Sequence, residues 1–225
     1  MARPEFCKHC CNPMQSRRPL LALAAAICLA FAAPAPAHAQ DDAEVTRLLT
    51  AGHSLKWNHT PAGKTERYGH AEVLVGTNAD KVRGVVSNFA GYKDLVPDKF
   101  SSARVIAKEA GNTDVQMQIP MKGLLRSLNV WQILRFGPVR EVGKGVFQLQ
   151  GKFVRGANIK DADLVFTWRE VGANTTLLKM DLLMQLTIPS PQAMVDEELR
   201  DAAAQAIEGV LHKAQGTKDP VTAIQ

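Results

Sequence analysis

Apolar and polar positions change their period three times along this chain. Within 65–76 the residues Ala71, Val73 and Val75 share one face while polar residues fall between them, which predicts a strand of period two. Behind Asn78, placed as an N-cap, Val82, Val85, Val86 and Phe89 recur at three- and four-residue steps and predict a short helix that Gly91 breaks. Tyr92 to Val96 predict one further helical turn, ended by Pro97.

From Ser101 the period returns to two. Segments 103–108, 114–121, 128–136, 146–154, 162–171 and 176–187 alternate and are separated by Gly111-Asn112, Gly137-Pro138, Gly143-Lys144-Gly145 and Gly172-Ala173-Asn174, the signature of an antiparallel meander. After Pro189 and Pro191, residues 192–214 return to the helical period, with Val195, Leu199, Ala203, Ala206, Ile207, Val210 and Leu211 on one stripe. Asp196, Glu197, Arg200 and Glu208 stand on the opposite face. Such a stripe needs a partner, and the inner face of a curved sheet is the one available. The expected class is α+β: a curved antiparallel sheet wrapped around a long C-terminal helix, with two short helices after the first strand.

Upstream, Val45, Leu48, Leu49 and Leu55 predict a short helix, and Trp57 to Gly63 read as a loop. Before these, Arg17 and Arg18, the apolar run Leu20 to Ala33 and the small residues ending at Ala39 have the order of a secretory signal peptide cleaved after Ala39. Met1 and Met14 both stand as candidate starts, and Ser16 to Leu21 loosely resembles a twin-arginine signal, so the general secretory and twin-arginine routes both stay open. The expected organisation is a leader over 1–39, an N-terminal helix and lead-in over 40–64, the main domain over 65–215 and a loose tail over 216–225. The expected location is the bacterial periplasm.

Composition sharpens this. All four cysteines (Cys7, Cys10, Cys11 and Cys28) lie in the leader, so the exported part has no disulfide and no thiol chemistry. The leader also holds four of the 27 basic residues and one of the 22 acidic ones, which brings the net charge from +5 to +2. That balance offers no electrostatic footprint for nucleic acid.

Chemistry-bearing motifs are sparse. His53, His59, His70 and His212 are scattered with no metal-ligand spacing, and no Gly-x-Ser-x-Gly elbow or phosphate loop is present. His70 is expected to face solvent from its strand. Arg155, Arg169, Asp163, Glu170 and Tyr92 are the candidates for a polar catalytic pair; parity puts Asp163, Arg169 and Arg155 outside or at a rim, and Glu170 with the inward set but at the strand end. No catalytic residue, cofactor or metal is assigned.

The residues Ala71 to Val82, Asn88 to Tyr92, Val96-Pro97 and Ser101 to Val105 resemble the opening of START-like polyketide cyclase and coenzyme Q-binding domains, the helix-grip superfamily often abbreviated SRPBCC. The chain departs from that pattern at Arg83, where such domains carry an aromatic. The resemblance implies a cavity between sheet and C-terminal helix that holds lipids, quinones, sterols or polyketides, with a cyclase or aromatase reaction in a few members. By parity the expected lining is Met117, Ile119, Met121, Leu134, Phe136, Phe147, Leu149, Phe153, Leu164, Phe166, Trp168, Met180, Leu182 and Met184. To these the short helices add Phe89, Tyr92 and Leu95, and the long helix adds Val195, Leu199, Ala203 and Ile207, with a mouth near 89–97. Methionines adapt their shape to flexible apolar ligands. The expected function is an exported carrier of a hydrophobic small molecule, with a cyclase-type enzyme or a ligand-free interaction module as alternatives. Transient contact with a membrane surface is compatible with such a carrier, and no protein partner is indicated.

Overall fold

The computed structural model describes the backbone of residues 37–96, 99–122 and 127–216 and the side chains of 43–96, 99–120 and 130–216. Residues 1–36 of the expected leader, with its cysteines, and the tail beyond Gly216 lie outside the described residues, while the last three leader residues begin the first helix. Helix α1 (Ala37–Ala51) precedes strands β1 (Leu55–His59) and β2 (Tyr68–Val75). Helix α2 (Ala79–Val86), a 3-10 turn (Phe89–Gly91) and helix α3 (Tyr92–Leu95) follow. Seven more strands come next: β3 (Ser102–Glu109), β4 (Asn112–Lys122), β5 (Ser127–Phe136), β6 (Arg140–Gly143), β7 (Val146–Ala157), β8 (Ile159–Gly172) and β9 (Thr175–Leu186). Helix α4 (Gln192–Gln215) closes the described chain. The strands form one antiparallel sheet in the order β1-β2-β9-β8-β7-β5-β4-β3, with β6 paired to β7. This is the expected α+β arrangement of a curved sheet around a C-terminal helix.

Local chemistry explains the short helices. The Asn78 side chain accepts from the Lys81 N–H at 3.0 Å and starts α2, whose Val82 and Val86 are fully buried. A carboxylate oxygen of Glu170 accepts from the Ala79 N–H at 3.1 Å, so the end of β8 pins the same helix start.

Two glycines let α4 come close. A Cβ on Gly69 in β2 would stand 2.3 Å from the Leu199 carbonyl carbon, and one on Gly209 would stand 2.2 Å from the Leu95 carbonyl oxygen. The first lets β2 touch the helix backbone and the second lets α3 do so. Leu199, Ala203, Ala206, Ile207 and Val210 are buried against the sheet, and the helix ends at Gly216 in the left-handed conformation (φ 69°).

Three expectations are corrected. Leu55–His59 is a strand paired with β2, whereas the sequence reading placed it in a helix end and a loop. Its inward-facing residues are Lys56 and Asn58, which bond Asp201 (3.0 Å) and the Asp196 carbonyl (2.8 Å) of α4, so no apolar alternation marks it. The short hairpin strand β6 was also missed, because all four of its residues are exposed. Asp196, expected on the open face of α4, is 7% exposed; Arg67 pairs with it at 2.9 Å and Gln192 donates to it at 2.6 Å.

Candidate functional site

Below the first half of α4 the space between helix and sheet stays open. It forms a cavity of about 430 Å³, lined by Tyr92, Leu95, Val96, Lys99 and Phe100, by Ile119, Pro120 and Gln132, by Leu164 and Phe166, and by Met180, Leu182, Met184 and Leu186. Ser190, Met194, Val195, Glu198, Leu199, Ala202, Gln205 and Ala206 complete it. The volume falls within the roughly 300–1,000 Å³ of small-molecule sites.

Ten of the expected lining residues therefore meet at the cavity: Tyr92, Leu95, Ile119, Leu164, Phe166, Met180, Leu182, Met184, Val195 and Leu199. Another ten, Phe89, Met117, Leu134, Phe136, Phe147, Leu149, Phe153, Trp168, Ala203 and Ile207, face the interior but pack among themselves and their neighbours. Phe136 sits 4.6 Å from Phe89 and 5.7 Å from Tyr92 between ring centroids, and Trp168 stacks on Phe147 at 6.1 Å. These rings fill the other end of the interior. The side chain of Met121 lies outside the described ones.

Twelve of the lining residues are not among those expected, Gln132, Met194, Ala202 and Gln205 among them. Gln132 shares the parity of Leu134 and Phe136, but its polarity argued against an inward position. Met194, Ala202 and Gln205 lie beside the apolar stripe of α4 at helical spacing, where an angular width greater than the stripe would have found them.

Polar groups at the cavity are mostly engaged. The Tyr92 hydroxyl donates to the Val86 carbonyl at 2.6 Å, and complete burial pushes its pKa well above the ordinary phenol value. Lys99 and Glu198 pair at 2.6 Å at the rim. The remaining candidates for a polar pair lie elsewhere: Asp163 accepts from Gln150 (2.8 Å) and Tyr68 (3.3 Å) on the outer face, Arg169 reaches Glu44 there at 3.4 Å, Arg155 is exposed, and Glu170 caps α2.

The outer face carries a second constellation. Since Gly69 faces α4, the alternation of β2 turns Tyr68, His70 and Glu72 away from it. Cross-strand register then sets His70 opposite Asp181 and beside Trp57. His70 Nδ1 and His59 Nε2 both bond Asp181 Oδ1, at 2.6 and 2.7 Å. Burial alone would raise the Asp181 carboxyl, but the hydrogen bonds and charges of His70 and His59 outweigh it and hold the group below its ordinary value. His70 is 7% exposed and has Glu72, itself paired with Arg47, 3.7 Å from its Nε2. It neither faces solvent nor enters the cavity, which corrects the expectation for this residue.

His59, His70 and Asp181 each offer one ligand atom within 4.8 Å of the others, so space assembles a candidate cation trio that linear spacing hides. Both imidazoles already share one carboxylate oxygen, and the group is satisfied as a hydrogen-bonded cluster.

Neither a family model nor a curated protein matches the sequence. Solved structures do match the fold. A STAR-related lipid transfer protein from Xanthomonas axonopodis is 12% identical, with 72% of this chain and 93% of that one aligned and a TM-score of 0.59. The human StAR-related lipid transfer protein 5 is 10% identical over 80% and 96%, with a TM-score of 0.55. A START superfamily protein from Mycobacterium smegmatis is 16% identical over 65% and 96%, with a TM-score of 0.53. The sheet order, the short helices after β2 and the gripped C-terminal helix give this chain the START-like helix-grip fold.

Proposed function

We propose that the protein is an exported carrier that holds a lipid-like or quinone-like molecule in the cavity under α4 without transforming it. The observation that carries this reading is the cavity itself, about 430 Å³ and lined chiefly by apolar side chains, three of them the flexible methionines Met180, Met184 and Met194. Similarity of fold to proteins described as lipid transfer proteins supports it. Apolar burial supplies affinity at about 25 cal/mol per Å², less the cost of ordering ligand and protein.

A mouth where Val96, Lys99 and Phe100 approach Met194, Val195 and Glu198 of α4 would admit such a ligand. Met194, 49% exposed, stands there beside the Lys99–Glu198 pair. Export rests on the order of charged, apolar and small residues in the leader.

Native mass spectrometry of protein purified from the cell envelope, followed by solvent extraction, tests the carrier reading. A co-purifying apolar mass is expected. Protein without one that also fails to bind lipid or quinone probes would sink the reading. N-terminal sequencing of the exported chain checks cleavage after Ala39.

A further inference from the structure

The outer face of the sheet holds a group of side chains for which the cavity has no use. Among the described residues, His59, His70 and Asp181 converge so that one ligand atom of each lies within 4.8 Å of the others. They stand on three strands side by side, β1, β2 and β9, with Trp57 opposite His70 and His70 opposite Asp181. Strands hold donor atoms more firmly than loops do.

Hydrogen bonds alone leave these groups crowded. Both imidazoles must donate to the same Asp181 oxygen, at 2.6 and 2.7 Å, and the second nitrogen of His70 then faces the Glu72 carboxylate at 3.7 Å. A cation gives each atom a use: the two imidazole nitrogens and Asp181 become its ligands, while His70 Nε2–H turns to Glu72. A carboxylate behind a ligating histidine, fixing its tautomer and ring orientation, is the usual support of a metal site. Here that support is itself built, because Glu72 is 1% exposed and paired with Arg47, and the Trp57 ring packs 4.3 Å from that of His70. The nearby cations are engaged, Arg47 with Glu72 and Lys179 with Glu44. His59 and Asp181 are partly exposed, which leaves a path of entry and room for water as a fourth ligand.

We propose that His59, His70 and Asp181 bind a divalent transition-metal ion, zinc(II) being well suited to two imidazoles and one carboxylate. Calcium and magnesium take oxygen donors and do not fit this set. Tetrahedral zinc, with bonds near 2.0–2.1 Å, holds its ligands about 3.3 Å apart, so the bonded atoms must part by about 0.7 Å, a shift that small side-chain rotations provide. The ion would tie β1 to β9 across β2 and so clasp the edge strand to the sheet. The site is separate from the cavity and stands whether or not a ligand is carried there.

The test uses the full chain carrying Cys7→Ser, Cys10→Ser, Cys11→Ser and Cys28→Ser, so that no thiol takes the metal. After treatment with a chelator it is titrated with zinc(II) by calorimetry and with cobalt(II), whose visible absorption reports tetrahedral coordination. Expected are one zinc per chain at a micromolar Kd or tighter, no displacement by excess calcium or magnesium, and an unfolding midpoint that rises with zinc. His59→Ala and Asp181→Asn should each abolish the saturable uptake and the cobalt band, Glu72→Gln should weaken uptake about tenfold, and His53→Ala should leave it unchanged. Uptake only at millimolar zinc, uptake that survives His59→Ala, or equal competition by calcium would each overturn the assignment. Should Asp181→Asn fail to fold, His59→Ala, at a partly exposed position, decides alone.

Discussion

The two halves of α4 cover unlike interiors. Beneath the second half, Ile207 and Val210 belong to a filled space in which Phe136 packs on Phe89 and Trp168 on Phe147, with Tyr92 at the border. Beneath the first half, Leu199 and Ala202 line the cavity together with Leu164, Phe166, Met180, Leu182 and Met184. One helix and one sheet make both regions. Both halves are held close, at Gly69 and at Gly209, so the difference lies in the side chains beneath them, and it shows that facing inward and being tightly packed are separate properties.

The largest effect that tests this contrast belongs to the filled end. Phe136→Ala should lower unfolding free energy by about 3–5 kcal/mol in urea titrations, because the neighbouring rings cannot collapse into the space. A loss near that of an exposed residue would mean that the end is not rigidly packed. Gly209→Ala comes next, at about 1–3 kcal/mol, since the added methyl must displace the Leu95 carbonyl. Met184→Ala, at the open end, should cost only about 1 kcal/mol, because the space beside it is already empty, while displacement assays show a changed affinity for long-chain probes. If Met184→Ala destabilises as much as Phe136→Ala, the two halves do not differ.

The smallest effect serves as a control on the face that neither half uses. Asp181 is held below its ordinary value when folded, so its contribution is present above the unfolded value of about 3.9 and is lost as pH falls from there toward the folded value. Unfolding midpoints of Asp181→Asn should therefore fall less steeply with acid below about pH 4 than those of the unmodified chain. Probe binding above that pH should not change.

Most of the fold was legible because it is written in period. Alternation in 114–121, 146–154, 162–171 and 176–187 located four long strands, and the stripe from Val195 to Leu211 located α4. What escaped was polar. Leu55–His59 carries Lys56 and Asn58 toward α4, so its inward face satisfies the helix flank and not the core. The cavity was half legible for a related reason. Parity separated inside from outside, but only the ring contacts of Phe136 and Trp168 separate packed residues from lining ones. Gln132 was hidden by its chemistry, and the meeting of His59, His70 and Asp181 by register, since the pairing of β1 and β9 with β2 cannot be read from spacing along the chain.

That missed strand has a practical consequence. β2 lies against α4 and β9, and β1 occupies its other edge from Leu55↔Glu72 to His59↔Tyr68. A shortened protein begun at Thr65, where the sequence alone would start the main domain, would keep every strand of the meander and still bare the ladder groups of β2. An uncovered edge of that kind recruits strands from other molecules, so such a truncation should aggregate on expression even with its interior intact.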